Sequence, residues 1–115
     1  MEIWINPACS KCRVATDALD AAGVDYTVRR YLDDPPTAAE LEALLTRLNL
    51  DPWHLLRPDE PEATAVADLP RTPTHRTHWI AALIAHPILI QRPIITTEHT
   101  AAITRTPETL ATFLP

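Results

Sequence analysis

An α/β fold built on a four-stranded mixed sheet flanked by helices is predicted by three features of the sequence. A β-branched and aromatic run opens the chain and leads through a helical segment into a second extended run. Proline-interrupted helical segments fill the middle, and further extended runs and a short helix close it. The order β-α-β, then helices, then β-β-α places a helical insertion between the two halves of one sheet. At 115 residues the chain is expected to be a single domain, 1–115, burying roughly 65% of the surface its unfolded form exposes.

Glu2-Ile3-Trp4-Ile5 is halted by Asn6-Pro7 and reads as the first strand feeding a turn. From Ser10 to Ala22, residues Val14, Ala15, Ala18, Leu19 and Ala22 keep helical spacing, and the chain's one glycine, Gly23, stands where a C-terminal cap belongs. Val24–Tyr31 predicts a second strand, parallel to the first through the helical crossover. After the Asp33-Asp34-Pro35-Pro36 loop, Thr37-Ala38-Ala39-Glu40 is a capping box opening a helix with Leu41, Leu44, Leu45 and Leu48 on one face. Five prolines between residues 51 and 73 restrict that stretch to short helical turns. His75–Ala85 carries Trp79, Ile80, Leu83 and Ile84 at helical spacing and stops at His86-Pro87. Extended runs are expected at Ile88–Ile90, Ile94–Thr97 and Ala101–Thr104, and Thr106-Pro107-Glu108 opens a last helix with Leu110, Phe113 and Leu114 inward.

This order matches a thioredoxin-like layered sheet, in which a strand-to-helix turn displays a cysteine and a proline precedes the third strand. Cys9 and Pro93 occupy those places, and the Arg92-Pro93 bond is expected to be cis.

Composition narrows the function. With 46% apolar and 22% charged residues, a net charge of −5 and no apolar run near the ~20 residues of a membrane span, a soluble protein is expected. The acidic balance argues against nonspecific nucleic-acid binding. Nine of the ten basic residues are Arg, whose planar donor fork suits oxyanions. No basic-then-apolar leader precedes the first strand, so a cytoplasmic, reducing compartment is expected.

Cys9 and Cys12 are spaced C-x-x-C, too close to restrain the unfolded chain as a structural disulfide, which points to chemistry. Cys9 falls at a helix start, where backbone N–H groups and the macrodipole stabilise a thiolate, with Lys11 and Arg13 adding positive charge. Cys12, one turn on, is placed as a resolving thiol. Zinc held with His75 and His78 is the weaker alternative, because those histidines lie more than 60 residues away and H-x-x-H is short for a finger. No metal is expected.

Asn6-Pro7-Ala8-Cys9-Ser10-Lys11-Cys12-Arg13 resembles the active-site loop of the glutaredoxin-coupled arsenate reductase family, whose superfamily includes the Spx-type redox regulators. Tyr31–Pro36, Leu55-Leu56-Arg57, His86–Ile94 and Arg105-Thr106-Pro107 follow in the family's order at similar intervals, so the resemblance spans nearly the whole chain. It implies a Cys9 thiolate that attacks arsenate and an oxyanion site of Arg57, Arg92 and Arg105, with Asn6, Lys11, Arg13 and Pro93 in support. It further implies reduction by an external thiol: glutathione, a mycothiol-type thiol, or a thioredoxin- or glutaredoxin-type donor. A monomer without bound cofactor is expected. Two residues depart from the family pattern. Cys12 stands where many members lack a cysteine, and Ile5 stands where members often place a His before Asn-Pro. Two other readings share these residues: a thiol-disulfide oxidoreductase that never meets arsenate, and an Spx-like switch that binds RNA polymerase. The arginine trio favours the reductase, since disulfide exchange needs no oxyanion donors.

Overall fold

The computed structural model describes every residue from Met1 to Pro115. In chain order its strands and helices are β1 (Glu2–Ile5), α1 (Ser10–Ala21), β2 (Thr27–Arg30), α2 (Ala38–Leu48), α3 (Arg76–Ala85), β3 (Ile94–Thr96), β4 (Ala101–Ile103) and α4 (Pro107–Ala111). They fall into two compact units, one of residues Met1–Asp34 with Arg92–Pro115, the other of Pro35–Gln91.

The first unit holds the whole sheet, in the order β2-β1-β3-β4. β1 runs parallel to β2 and antiparallel to β3, which is antiparallel to β4. This is the predicted four-stranded mixed sheet, entered through a β-α-β crossover. Alternation along β1 sends Ile3 to one face and Trp4 to the other. On the Ile3 face, Ile95 from β3, Ala15 and Leu19 from α1 and Leu110 from α4 close a core with Ile3, and Val24, Tyr26, Phe113 and Leu114 pack at its edge. Ile3, Leu19 and Ile95 are fully buried, and each such side chain contributes about 1.5–3 kcal/mol relative to exposure. On the opposite face the Trp4 and Tyr31 rings stack with centroids 6.3 Å apart. The Arg29 guanidinium lies 5.1 Å from the Trp4 ring centre, and the indole Nε1 donates to Glu2 Oε1 at 2.7 Å.

Helix ends follow local chemistry. α1 closes with Gly23 at φ 70, the Gly23 N–H bonded to the Asp20 carbonyl and the Val24 N–H to the Leu19 carbonyl, the 5→2 and 6→1 pair of a Schellman end. α2 opens on the predicted capping box, Glu40 N–H donating to Thr37 Oγ1 and Thr37 N–H to Glu40 Oε1. It closes on Asn49 at φ 55, a left-handed residue that nothing in the spacing announced.

In the second unit α3 is the hub, packing on α2 and on 3-10 turns at Pro52–Leu55, Pro61–Val66, Pro73–His75 and Pro87–Leu89. The three turns between residues 52 and 75, each opening on a proline, are what the sequence expects where φ is preset but longer helices are blocked. Ile88-Leu89-Ile90 corrects an expectation. Its β-branched composition reads as a strand, yet Pro87 starts a 3-10 turn closed by Leu89 N–H to the His86 carbonyl and Ile90 N–H to the Pro87 carbonyl. Only Ile90 is extended, in an isolated bridge to Leu56. The second strand is also shorter than the Val24–Tyr31 run: Val24 joins the helix end, and only Thr27–Arg30 finds β1.

Candidate active site

The loop between β1 and α1 is built by Asn6. Its side-chain Oδ1 accepts from the Ala8 N–H at 2.9 Å, its carbonyl accepts from the Cys9 N–H at 2.9 Å, and the residue is 8% exposed. This Asx-type turn delivers Cys9 to the N-cap of α1 in an extended conformation, φ −90 and ψ 122, and the Cys9 carbonyl takes the first helical bond from the Arg13 N–H. Cys9 is half-buried and Cys12, a turn further on, is 2% exposed; both are free thiols.

Burial of the Cys9 sulfur raises its pKa, but the opposing groups win. They are the backbone N–H of Cys12, the Cys12 thiol, the Arg92 guanidinium and the backbone N–H of Lys11, and together they bring the thiol down to about 7. The sulfur makes no ordinary capping hydrogen bond, so the amides act on it as converging dipoles. Lys11 thus acts through its backbone, and the Lys11 and Arg13 side chains are exposed. Cys12 moves the other way. Burial first, and then the hydrogen bond and charge of Cys9, push it up to about 12 against a backbone hydrogen bond from Asn6 and the charge of Arg92. At neutral pH the thiolate of the pair is on Cys9, about half formed, while Cys12 stays protonated. Iodoacetamide is therefore expected to label Cys9 with a midpoint near pH 7, slow below it where the thiol is protonated and fast above it. Cys12 should stay unlabelled across the range; its labelling ahead of Cys9 in the reduced protein would reverse the two roles.

Arg92 is 9% exposed and directly precedes Pro93, whose peptide bond with it is cis. Burial works against its charge, yet the Cys9 thiol and the Tyr31 hydroxyl raise its pKa above the ordinary arginine value. Arg105 reaches back from the end of β4, its Nη1 donating to the Arg92 carbonyl at 2.7 Å. The Thr104 N–H donates to the Pro93 carbonyl at 2.8 Å, so the segment after β4 braces the one before β3 twice over.

Cys9, Cys12, Asn6, Arg92, Pro93 and Arg105 therefore all belong to the first unit. Arg57 belongs to the second, where its backbone N–H donates to the Leu89 carbonyl at 2.7 Å and its Nε faces Glu60 Oε1 at 3.4 Å. His75 and His78 sit at the start of α3 with ring centres 6.1 Å apart, and Thr72 Oγ1 lies 2.8 Å from His75 Nδ1. Two features escaped the sequence reading: the Arg105 link to the Arg92 main chain, and the influence of Tyr31 on the Arg92 charge. Tyr31 lay inside a quoted anchor segment, but no local signal marks its hydroxyl as acting on an arginine.

A thioredoxin-like sheet that presents an acidified cysteine at a helix start, beside a buried arginine, defines a protein of thiol redox chemistry. A model of the ArsC family matches residues 4–113, and the chain belongs to that family. It is 32% identical over 115 residues to an arsenate reductase of Rhizobium meliloti, covering 98% of this chain and 80% of that protein. It is 55% identical over 111 residues to a Streptomyces viridochromogenes protein described as an "uncharacterized protein in glnII region", covering 94% and 93%. The structure superposes on an arsenate reductase from Vibrio cholerae with a TM-score of 0.86 and 30% identity, over 99% of this chain and 98% of that one. The likeness read from the active-site loop and the four anchor segments is borne out, as is the thioredoxin-like fold.

Proposed function

We propose that this oxidoreductase reduces arsenate to arsenite with Cys9 as the nucleophile. The observation that carries the reading is the half-buried Cys9 thiol at the N-cap of α1, lowered to about 7 with the buried Arg92 guanidinium among the groups that lower it. A thiolate is needed to attack arsenic, and a fixed guanidinium is needed to bring a dianion to an anionic sulfur. Attack forms the Cys9 S–As bond and expels one arsenate oxygen, protonated, as water. A thiol then attacks the Cys9 sulfur, the S–As bond breaks with its electron pair left on arsenic, and arsenite departs. Two thiols become one disulfide as As(V) becomes As(III), with no other oxidant or reductant involved.

The attacking thiol is either external (glutathione, a mycothiol-type thiol, or a thioredoxin- or glutaredoxin-type donor) or Cys12. The position of Cys12 favours the internal route: it is buried one helical turn on from Cys9, and forming the adduct removes the Cys9 charge that helps keep it protonated. The external donor then reduces a Cys9–Cys12 disulfide. Arg92 and Arg105 are the guanidinium donors assigned to the oxyanion from the first unit. Arg57 stays in the assignment on its sequence anchor alone. No helix is long and apolar enough to cross a membrane, and the proposed setting is the cytoplasm.

The test is arsenite formation from arsenate by the purified protein, with glutathione and glutaredoxin, or thioredoxin and its reductase, supplied in turn. Turnover with at least one donor is expected. Steady reduction of a small disulfide with no arsenite from either donor would replace this reading with that of a general thiol-disulfide exchanger. Full multi-turnover activity in Cys12→Ser would move the resolving step to the external thiol.

A further inference from the structure

We propose that Gln91 is a positioning residue for Arg57: its side-chain amide holds the carbonyl of the peptide that leads into Arg57, and so fixes the direction in which that arginine leaves the chain. The inference rests on the reading of Arg57 as an oxyanion donor, and it concerns how a long side chain of the second unit is aimed.

An arginine that meets an oxyanion through two parallel hydrogen bonds must present its fork at a set angle, and that angle starts at the backbone. The plane of the peptide between Leu56 and Arg57 sets where the Arg57 side chain departs. Both polar ends of that plane are bonded to one short segment. The Arg57 N–H donates to the Leu89 carbonyl at 2.7 Å, and the Leu56 carbonyl accepts from Gln91 Nε2 at 3.0 Å. The carbonyl before it, on Leu55, accepts from the Gln91 main-chain N–H at 2.8 Å. Gln91 thus serves two successive carbonyls, one with its backbone and one with its side chain.

The side-chain bond is the one that strand pairing does not supply. Leu56 and Ile90 form an isolated antiparallel bridge, and the main-chain bonds of that bridge are made by the residues on either side, Arg57 to Leu89 and Gln91 to Leu55. The Leu56 carbonyl is left out of this ladder. Leu56 is buried, where an unmet carbonyl is costly, and the nitrogen end of the Gln91 amide meets it. At its other end Arg57 is held loosely: Nε faces Glu60 Oε1 at 3.4 Å, a contact with the base of the guanidinium and not with its terminal fork. The aim of the fork therefore depends on how firmly the backbone end is held. The chain passes from Gln91 straight into Arg92, so the residue that holds the Arg57 peptide also precedes a second arginine of the proposed oxyanion site.

The test is Gln91→Met, which keeps the side-chain length and every main-chain bond but removes the donor. It is read by the concentration of sulfate, an unreactive tetrahedral dianion, that half-protects Cys9 from iodoacetamide. The expected result is a rise of about three- to tenfold, the scale of one ordinary hydrogen bond, against about 10- to 100-fold for Arg57→Ala, which removes a charged donor. Without sulfate, the alkylation rate and its pH midpoint should match those of the parent, because Gln91 carries no charge. In an Arg57→Ala background Gln91→Met should cost nothing further.

Protection unchanged in folded Gln91→Met but weakened in Arg57→Ala overturns the proposal and leaves Arg57 in the oxyanion site; a lower thermal melt beside that result assigns the Gln91 amide to packing alone. No protection in the parent, or protection unchanged in Arg57→Ala, removes Arg57 from the site and the proposal with it. A Gln91→Met loss that persists in the Arg57→Ala background also overturns it, since the effect then bypasses Arg57. Should Gln91→Met fold poorly, Gln91→Asn takes its place: it keeps the amide on a side chain one methylene too short for the Leu56 carbonyl. The same loss is expected, and unmoved protection overturns the proposal equally.

Discussion

Cys9→Ser is expected to abolish arsenate turnover, a loss of at least ~10⁴-fold or roughly 5 kcal/mol of barrier. Two independent deficits combine. A serine hydroxyl remains protonated where the Cys9 thiol, lowered to about 7, is half ionised, so the attack on arsenic lacks its nucleophile. An oxygen cannot accept the second sulfur, so even a slow arsenate ester has no path to a disulfide and no way to leave two electrons on arsenic. Stability should barely move, because Cys9 is half-buried and the loop is shaped by Asn6 and backbone bonds that serine preserves. Arsenite production followed beside a thermal melt separates the two effects. Residual multi-turnover activity in Cys9→Ser would shift the nucleophile to Cys12.

Arg92→Lys is expected to lower arsenate turnover by one to two orders of magnitude, about 1.4 kcal/mol of barrier for each tenfold, without a comparable loss in reduction of a small disulfide. Lysine keeps the charge but concentrates it at one nitrogen, whereas the arginine fork presents several donors in one plane, suited to two parallel hydrogen bonds with an incoming oxyanion. A disulfide substrate brings no charge to be bridged and needs only the positive potential beside the sulfur. The measurement is the pair of assays on one variant. Equal retention of both would remove the oxyanion role from Arg92 and favour the disulfide exchanger.

Where a sequence signal was local, it was legible. The Glu2–Ile5 run stops at Asn6-Pro7, and the Thr37–Glu40 box and the prolines of the second unit act within a few residues of themselves, so each element formed where its chemistry placed it. Ile88–Ile90 failed because β-branched composition and a proline-initiated turn make opposite demands on the same residues, and the turn's two main-chain bonds decided the outcome. The site divides along the same line. Cys9 at a helix start and Cys12 a turn away follow from periodicity alone. The fate of the arginines depended on partners far off in the chain: Tyr31 acts on the charge of Arg92, Arg105 meets the Arg92 carbonyl, and Arg57 meets Glu60 nearby. Nothing at Arg105 distinguishes an arginine that binds an oxyanion from one that grips a carbonyl, and its long-range partner is what the structure adds.

The position of β1 has a consequence for how the molecule is made. β1 lies at the middle of the sheet, and its register pairs Glu2 with Thr96 and Trp4 with Ile94, so the antiparallel half of the sheet joins segments at least 90 residues apart in the chain. Pairings this remote in sequence make folding slow, because the entropy of closing the loop is lost before any contact rewards it. On a ribosome adding about 5–20 residues per second, the β-α-β start must wait several seconds for β3. During that wait the nascent chain exposes a C-x-x-C loop that lacks Arg92, the residue that later helps to acidify Cys9. The cysteine thus acquires its full reactivity only when the sheet closes, and an incomplete chain carries a quieter thiol than the finished protein.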